Sequence, residues 1–279
     1  MPPIYHHGHA PSQTLHHSWR TVTNSAPHLL PHLARLSSTS SSFPIRVLDI
    51  GCGPGTLSAS LAKHLPPTAR IVATDISDDV LARAREHAVR EGLAEMMEFV
   101  NADVCYLPFK DGEFEVVHAH QVLCHIEDPV KAIKEMVRVV KKEGGIISLR
   151  EADVRNWHCW PELEGLRKME MLMREVMKAD GGHPEAGMRL VEWCVKAGVK
   201  KSRIDMGFGS WCFAKEEDRR MWGMAMIERL KAGHLRRKSL ELGITTEEEI
   251  EGIIRDWESF MATETATLGN VNGEVTIRV

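Results

Sequence analysis

The chain has 279 residues, 43% of them hydrophobic and 27% charged, with a formal net charge of -4. That is enough apolar material for one substantial core, or a core with an added cap, and it leaves no basic field of the kind that draws nucleic acid. No apolar run approaches the roughly 20 residues that span a bilayer, and the six cysteines include no CxxC pair, which fits reduced thiols better than a disulfide framework.

The first residues, Met1-Pro2-Pro3-Ile4-Tyr5, lack the charged-then-apolar plan of a signal peptide, so a cytoplasmic protein is expected. His6, His7, His9, His16 and His17 crowd the N-terminus, but no Cys or carboxylate accompanies them at metal-ligand spacing. No metal site is expected. Residues 28–36 read as a short helix, and the serine-rich run at 37–42 as a flexible linker.

From residue 45 strands and helices alternate. Strands are expected at 45–50, 70–75, 97–101, 114–118 and 146–150. Between them, Pro66-Pro67 stops a helix from 57 to 65. Ser77 caps a helix that Gly92 ends, and Asp128 with Pro129 starts one running to about 142. Five strands in this rhythm imply a parallel sheet covered on both faces. After Arg150 the rhythm changes. A Met-rich helix (162–178) reads equally as core or as pocket wall. Helices at 185–197, 215–240 and 246–260 follow, with a strand at 203–213. Asn272-Gly273 signals a turn before a last strand at 274–279, which suggests a sheet ending in an antiparallel pair.

One stretch organises the rest: Val47-Leu48-Asp49-Ile50-Gly51-Cys52-Gly53-Pro54-Gly55-Thr56. A strand runs into a glycine turn and then a helix, where backbone can approach a ligand and free N–H groups point at it. The dinucleotide fingerprint fails, because its third glycine position holds Thr56; a Walker loop fails for want of Gly-Lys-Ser/Thr. The spacing Asp49, Gly51, Gly53, Gly55 instead resembles motif I of the class I S-adenosylmethionine-dependent methyltransferases. Asp75 ends strand two, where a carboxylate can accept from both ribose hydroxyls.

That resemblance implies a Rossmann-like α/β fold: a seven-stranded sheet, mostly parallel with an antiparallel last strand, plus an N-terminal arm and a helical cap. It implies an arm and linker at 1–42, a cofactor-binding core at 43–154, and at 155–279 a cap with final strands completing the same domain. It places Asp103 beside the adenine amino group, Val104 on the adenine face, and Cys52 and Ile76 around the nucleoside. His120 and Gln121 fall near the methionine half. Tyr5, Trp19 and Arg20 could close over the cofactor as a lid, with Arg20 suited to the methionine carboxylate. His120 and His125 are candidate bases, or groups that merely close the pocket.

Residues 45 to about 153 are similar to the quinone-biosynthetic UbiE-type branch, through Leu107-Pro108-Phe109 and Arg138-Val139-Val140-Lys141-Lys142-Glu143-Gly144-Gly145. The flanks resemble a narrower fungal and actinobacterial group, through His17-Ser18-Trp19-Arg20-Thr21, Leu29-Leu30-Pro31-His32 and Trp160-Pro161-Glu162. That group includes thiol methyltransferases acting on gliotoxin-type dithiols. The chain has Glu151 where the group commonly shows Asp. The resemblance implies methylation of a small, largely apolar metabolite at sulfur or oxygen, by a monomer or homodimer. A quinone-ring C-methyltransferase and a cofactor-binding partner protein without turnover are the alternatives.

Overall fold

The computed structural model of the protein describes residues 15–38 and 44–279. The expectations for Tyr5, for His6, His7 and His9, and for residues 39–42 of the serine run lie outside them. Two helices come first, α1 (Val22–Ser25) and α2 (Leu30–Ser38). The alternating core follows: β1 (Arg46–Ile50), α3 (Thr56–Ala62), β2 (Arg70–Asp75), α4 (Asp78–Arg90), β3 (Met97–Asn101), β4 (Val116–His120) and α5 (Pro129–Val139). The remainder is β5 (Ile146–Trp160), α6 (Glu164–Ala179), α7 (Ala186–Lys196), β6 (Ile204–Phe213), α8 (Glu216–Lys231), α9 (His234–Glu241), α10 (Glu247–Ala262) and β7 (Thr267–Arg278).

The seven strands form one sheet in the order β3-β2-β1-β4-β5-β7-β6. The first five pair in parallel, and β7 runs antiparallel to both β5 and β6. The chain reverses its direction of winding between β1 and β4. Outside the carboxyl ends of those two strands lies the crevice where open α/β sheets bind ligands.

Helix starts follow local chemistry. The Ser77 hydroxyl accepts from the Val80 N–H and Asp78 and Asp79 occupy the first turn of α4. Asp128 accepts from the Lys131 N–H, with Pro129 as the first residue of α5. Thr246 and Glu249 form a reciprocal capping box on α10.

The sheet alternates its side chains between two cores. Val117, Ala119, Ile147, Leu149, Val275 and Ile277 face α5 and α7. Val47, Ile71, Val116 and Ile146 face the other way, against α3 and the N-terminal segment. Val22, Ala26, Leu29 and Leu33 of that segment are fully buried. Residues 22–33 are thus part of the core rather than a free arm. A third cluster fills the cap, where Met169, Leu172, Val176 and Met177 of α6 meet Met226, Leu230, Ile253, Trp257 and Phe260. The Met-rich helix is core.

Several expected boundaries move. β4 starts at Val116, because Phe114 makes only an isolated bridge to Val140. The helix expected over 215–240 is two, divided where Ala232 caps α8 and Gly233 begins α9. β5 runs on to Trp160, past the expected boundary at 154. The turn expected at Asn272-Gly273 is instead the middle of β7, paired with Ala152 and Glu151. The glycine has another reason: a Cβ on Gly273 would lie 2.0 Å from the Gly187 carbonyl oxygen at the start of α7. It lets helix and sheet backbones touch, a close-packing use of glycine that local sequence reads as a turn.

Candidate active site

A cleft of about 1220 Å³ of empty space, part of it open to solvent, lies at the carboxyl ends of β1, β2 and β4. Its floor is the glycine turn, in which each glycine has a left-handed φ: 66° at Gly51, 55° at Gly53 and 79° at Gly55. Their surroundings differ. A Cβ on Gly51 would sit 2.4 Å from Val122 Cγ2, so this glycine lets the loop after β4 close on the turn. A Cβ on Gly55 would meet Ala84 of α4 at 3.0 Å. On Gly53 it would meet nothing nearer than His17 Nδ1 at 3.9 Å, and so would project into space a ligand can use. Gly51, Cys52 and Gly53 line the cleft; Gly55 turns the chain beneath it.

The acids line one end. Each oxygen of Asp75 accepts a backbone N–H, from Gly53 and from Ser77, both at 3.2 Å. This fixes the carboxylate at the edge of the turn with acceptor capacity left over. Asp103, Val104 and Ile76 also line the cleft. Asp103 Oδ1 accepts from the Cys105 N–H at 2.8 Å, which shapes its own loop. Asp49 is buried and accepts from the Ser58 hydroxyl. Burial outweighs that bond and pushes its pKa up to about 7.

The other end is built by the loop after β4 and by the N-terminal segment. Gln121 adopts φ 54°, a strained value for a residue with a side chain. Its backbone is held by the Arg150 carbonyl at 2.8 Å. Its side chain accepts from Arg20 Nη2 at 2.5 Å and donates to Asn272 Oδ1 at 3.3 Å. His120 is buried, with Nδ1 3.4 Å from Arg20 Nη1. A guanidinium can only donate, so Nδ1 is the acceptor and the ring proton belongs on Nε2. That Nε2 has no partner among the described residues. Burial, then Arg20 and Arg150, hold the His120 pKa well below its ordinary value, so the ring is neutral at pH 7. His125 lines the cleft one turn further on.

The N-terminal segment contributes His17 and Arg20 to the lining. It is pinned there by the Thr56 hydroxyl, which donates to the His17 carbonyl at 2.9 Å, and by the Val22 N–H, which donates to Ser60 Oγ at 3.0 Å. Trp19, expected in the lid, does not line the cleft. It packs edge-on against Trp211, with centroids 5.6 Å apart, and its Nε1 donates to Asp218 Oδ1 at 3.0 Å. It stands in a turn closed by the Arg20 N–H, which donates to the His17 carbonyl at 3.1 Å.

Two buried charged residues that hold the site's walls escaped the sequence reading of the site. Glu151 is fully buried and accepts three backbone N–H groups of the post-β4 loop: Val122 at 2.9 Å, Leu123 at 2.8 Å and Cys124 at 3.2 Å. Burial outweighs all three and raises its pKa to about 7. Arg150 is fully buried beside it in sequence. It donates to the Asn24 carbonyl at 2.9 Å, pairs with Glu274 Oε1 at 3.3 Å and stands over the Trp211 ring at 5.0 Å. The available signal was a run of charge, Arg150-Glu151-Ala152-Asp153, directly after the mostly apolar Ile146-Ile147-Ser148-Leu149.

No helix among the described residues is long and apolar enough to cross a membrane. A family model described as a methyltransferase domain matches residues 48–148. An uncharacterized methyltransferase of Schizosaccharomyces pombe is 30% identical over 219 residues, covering 77% of this chain and 75% of that one. The ubiquinone/menaquinone biosynthesis C-methyltransferase UbiE of Pseudomonas putida is 38% identical over 104 residues, 37% of this chain and 41% of that relative. Among solved structures, a putative methyltransferase from Bacillus halodurans matches with a TM-score of 0.54 at 18% identity, over 89% of this chain and 97% of that one. The phosphoethanolamine N-methyltransferase 2 of Haemonchus contortus, solved with S-adenosylhomocysteine, matches at 0.51 and 18%, over 90% of this chain and 52% of that one. These two show the same fold. With a glycine turn at the switch point, acids beyond β2 and β3, and a methyltransferase relative along three quarters of its length, the chain belongs to the class I S-adenosylmethionine-dependent methyltransferases.

Proposed function

We propose that the enzyme methylates a sulfur atom of a small, largely apolar thiol or dithiol, of the gliotoxin-like kind found in specialised metabolism. The observation that carries this is the state of His120. Its Nδ1 is engaged by Arg20, its Nε2 bears the proton, and its basicity is suppressed by burial and two guanidinium groups. A ring held in this state is a weak base for removing a proton from the acceptor. The acceptor must then ionise with little help. A thiol, with a reference pKa near 8.5, does so more readily than a phenol near 10.

The residues fit an adenosyl sulfonium. Asp75 and Asp103 offer acceptors for ribose hydroxyls and the adenine amino group, and Val104 and Ile76 offer apolar surface. Gly51, Cys52 and Gly53 bring backbone close, and Arg20 and Gln121 suit a carboxylate and ammonium. The bound cofactor supplies an already activated methyl group. The chain's own task is to orient a sulfur lone pair at that carbon and to keep water away. The Arg20 guanidinium favours an anionic acceptor, while Val122 and Ile126 provide apolar wall.

A second reading is O-methylation of a phenol with His125 as base, since its ring also lines the cleft. Incubation with isotopically labelled cofactor and separate panels of reduced dithiols, phenols and quinols decides between them. Label on sulfur is expected, with a rate that climbs toward the thiol pKa and persists in His125→Asn. Label only on oxygen, lost in His125→Asn, or label only on carbon, would overturn the thiol assignment.

A further inference from the structure

We infer that Asn272 of β7 is a positioning residue for the cofactor: it holds Gln121, and Gln121 holds the Arg20 guanidinium at the cleft. The inference rests on the reading of Arg20 as the group that meets the cofactor's carboxylate. Asn272 itself lies behind the cleft, at 1% exposure.

The strand that carries it buries a polar row. Asn270, Asn272, Glu274 and Thr276 alternate along β7, which pairs with β6 without a break in register, so all four point to one side of the sheet. All four are buried, and β7 lies between β5 and β6. Burying a polar group is costly unless it finds a partner. Glu274 pairs with Arg150 and with His28. Asn270 and Asn272 bond to each other, and Asn272 reaches on to Gln121, a residue of the cleft wall.

One charge fixes the orientation of three amides. A guanidinium can only donate, so Arg20 Nη2, at 2.5 Å, must face Gln121 Oε1. The Gln121 nitrogen is thereby turned to Asn272, at 3.3 Å, and Asn272 must present Oδ1 to it. Asn272 Nδ2 then donates to Asn270 Oδ1 at 3.1 Å. The far end of this relay is firmly placed, because Gly273, next to Asn272, packs directly on the backbone of Gly187 in α7. At the near end, Gln121 holds Arg20 more closely than His120 does, whose Nδ1 lies 3.4 Å from the same guanidinium. The Gln121 backbone has its own anchor in the Arg150 carbonyl. Loss of the Asn272 oxygen therefore releases the Gln121 side chain, and with it Arg20, while the loop stays in place.

Calorimetry with S-adenosylhomocysteine tests this without any methyl acceptor, and so independently of the thiol assignment. Asn272→Ala should raise the dissociation constant about tenfold, the effect of one hydrogen bond to a charged group. Asn272→Asp, which still accepts from Gln121 Nε2, should stay within about threefold of the wild type. Binding of 5′-methylthioadenosine, which has the nucleoside and the sulfur but no amino-acid group, should be the same in Asn272→Ala as in the wild type. In an Arg20→Ala background, Asn272→Ala should change the S-adenosylhomocysteine constant by less than about twofold, because the relay then has nothing to hold. If the alanine variant does not fold, Asn272→Leu, of similar shape, makes the same cut. Equal weakening of both ligands, or an Asn272→Ala effect that persists without Arg20, would overturn the inference. An Arg20→Ala protein of unchanged affinity would remove the reading of Arg20, and the inference with it.

Discussion

Glu151→Gln isolates the tether that shapes the loop carrying Gln121 and His125. In the wild type the carboxylate is fully buried, and its folded pKa is about 7 against an ordinary 4.5. A carboxyl whose pKa is raised on folding holds its proton more tightly in the native state. Its contribution to stability is therefore complete below the ordinary value and is lost as the pH rises through 7. A rise of about 2.5 units corresponds to about 3 kcal/mol. Glutamine cannot titrate. It keeps one oxygen for the Val122 and Leu123 N–H groups and places an amide nitrogen opposite the Cys124 N–H, an offset of about 1–3 kcal/mol that does not vary with pH. Stability of the variant should thus gain on the wild type by about 3 kcal/mol between pH 4.5 and 8. Asp49, whose pKa is also raised to about 7, titrates in both proteins and cancels from the difference. Urea unfolding of both proteins across that range reads the quantity directly. A stability difference that stays constant from pH 4.5 to 8 would refute the reasoning.

Two further outcomes separate the parts of the cleft. Asp75→Ala removes the acceptor for the Gly53 and Ser77 N–H groups as well as the acceptor proposed for ribose. Cofactor affinity by calorimetry should fall by about tenfold to a hundredfold, the range of one or two hydrogen bonds to a charged group; an unchanged affinity would remove Asp75 from the site. Trp19→Phe removes the bond to Asp218 but keeps an aromatic ring against Trp211 and Phe213. Thermal stability should drop by about 1 kcal/mol with cofactor affinity intact, whereas a loss of affinity alone would return Trp19 to the lid.

The core was legible because its signals are local. Asp49 to Gly55 and Asp75 each sit where a strand ends, and strand ends follow from short apolar runs bounded by glycine or a capping residue. The loop after β4 was legible only as a location. Its geometry depends on Glu151, which is distant from it in sequence and acts by accepting three of its backbone N–H groups. Pattern reading sees a carboxylate at the end of a strand, not the donors it collects. The same limit explains β7. Asn272-Gly273 has the composition of a turn, yet Asn272 hydrogen-bonds to Gln121 and Asn270, and Gly273 admits α7. Both residues answer to tertiary neighbours, and those neighbours override local preference.

The N-terminal segment shows why acceptor and cofactor cannot be treated as separate sites. Its Val22, Leu29 and Leu33 are anchored in the sheet's own core, so the segment does not swing freely. Just before that anchor, His17 reaches the glycine turn through Thr56, Arg20 reaches His120 and Gln121, and Trp19 reaches the cap through Trp211 and Asp218. Three residues within four positions thus touch the cofactor floor, the candidate acceptor end and the cap. Arg20 is the joint among them. One guanidinium fixes the His120 tautomer, holds the left-handed Gln121 in place and stands 5.4 Å from the Trp211 ring. The guanidinium proposed to meet a cofactor carboxylate is thus the same one that holds the imidazole and the cap contact.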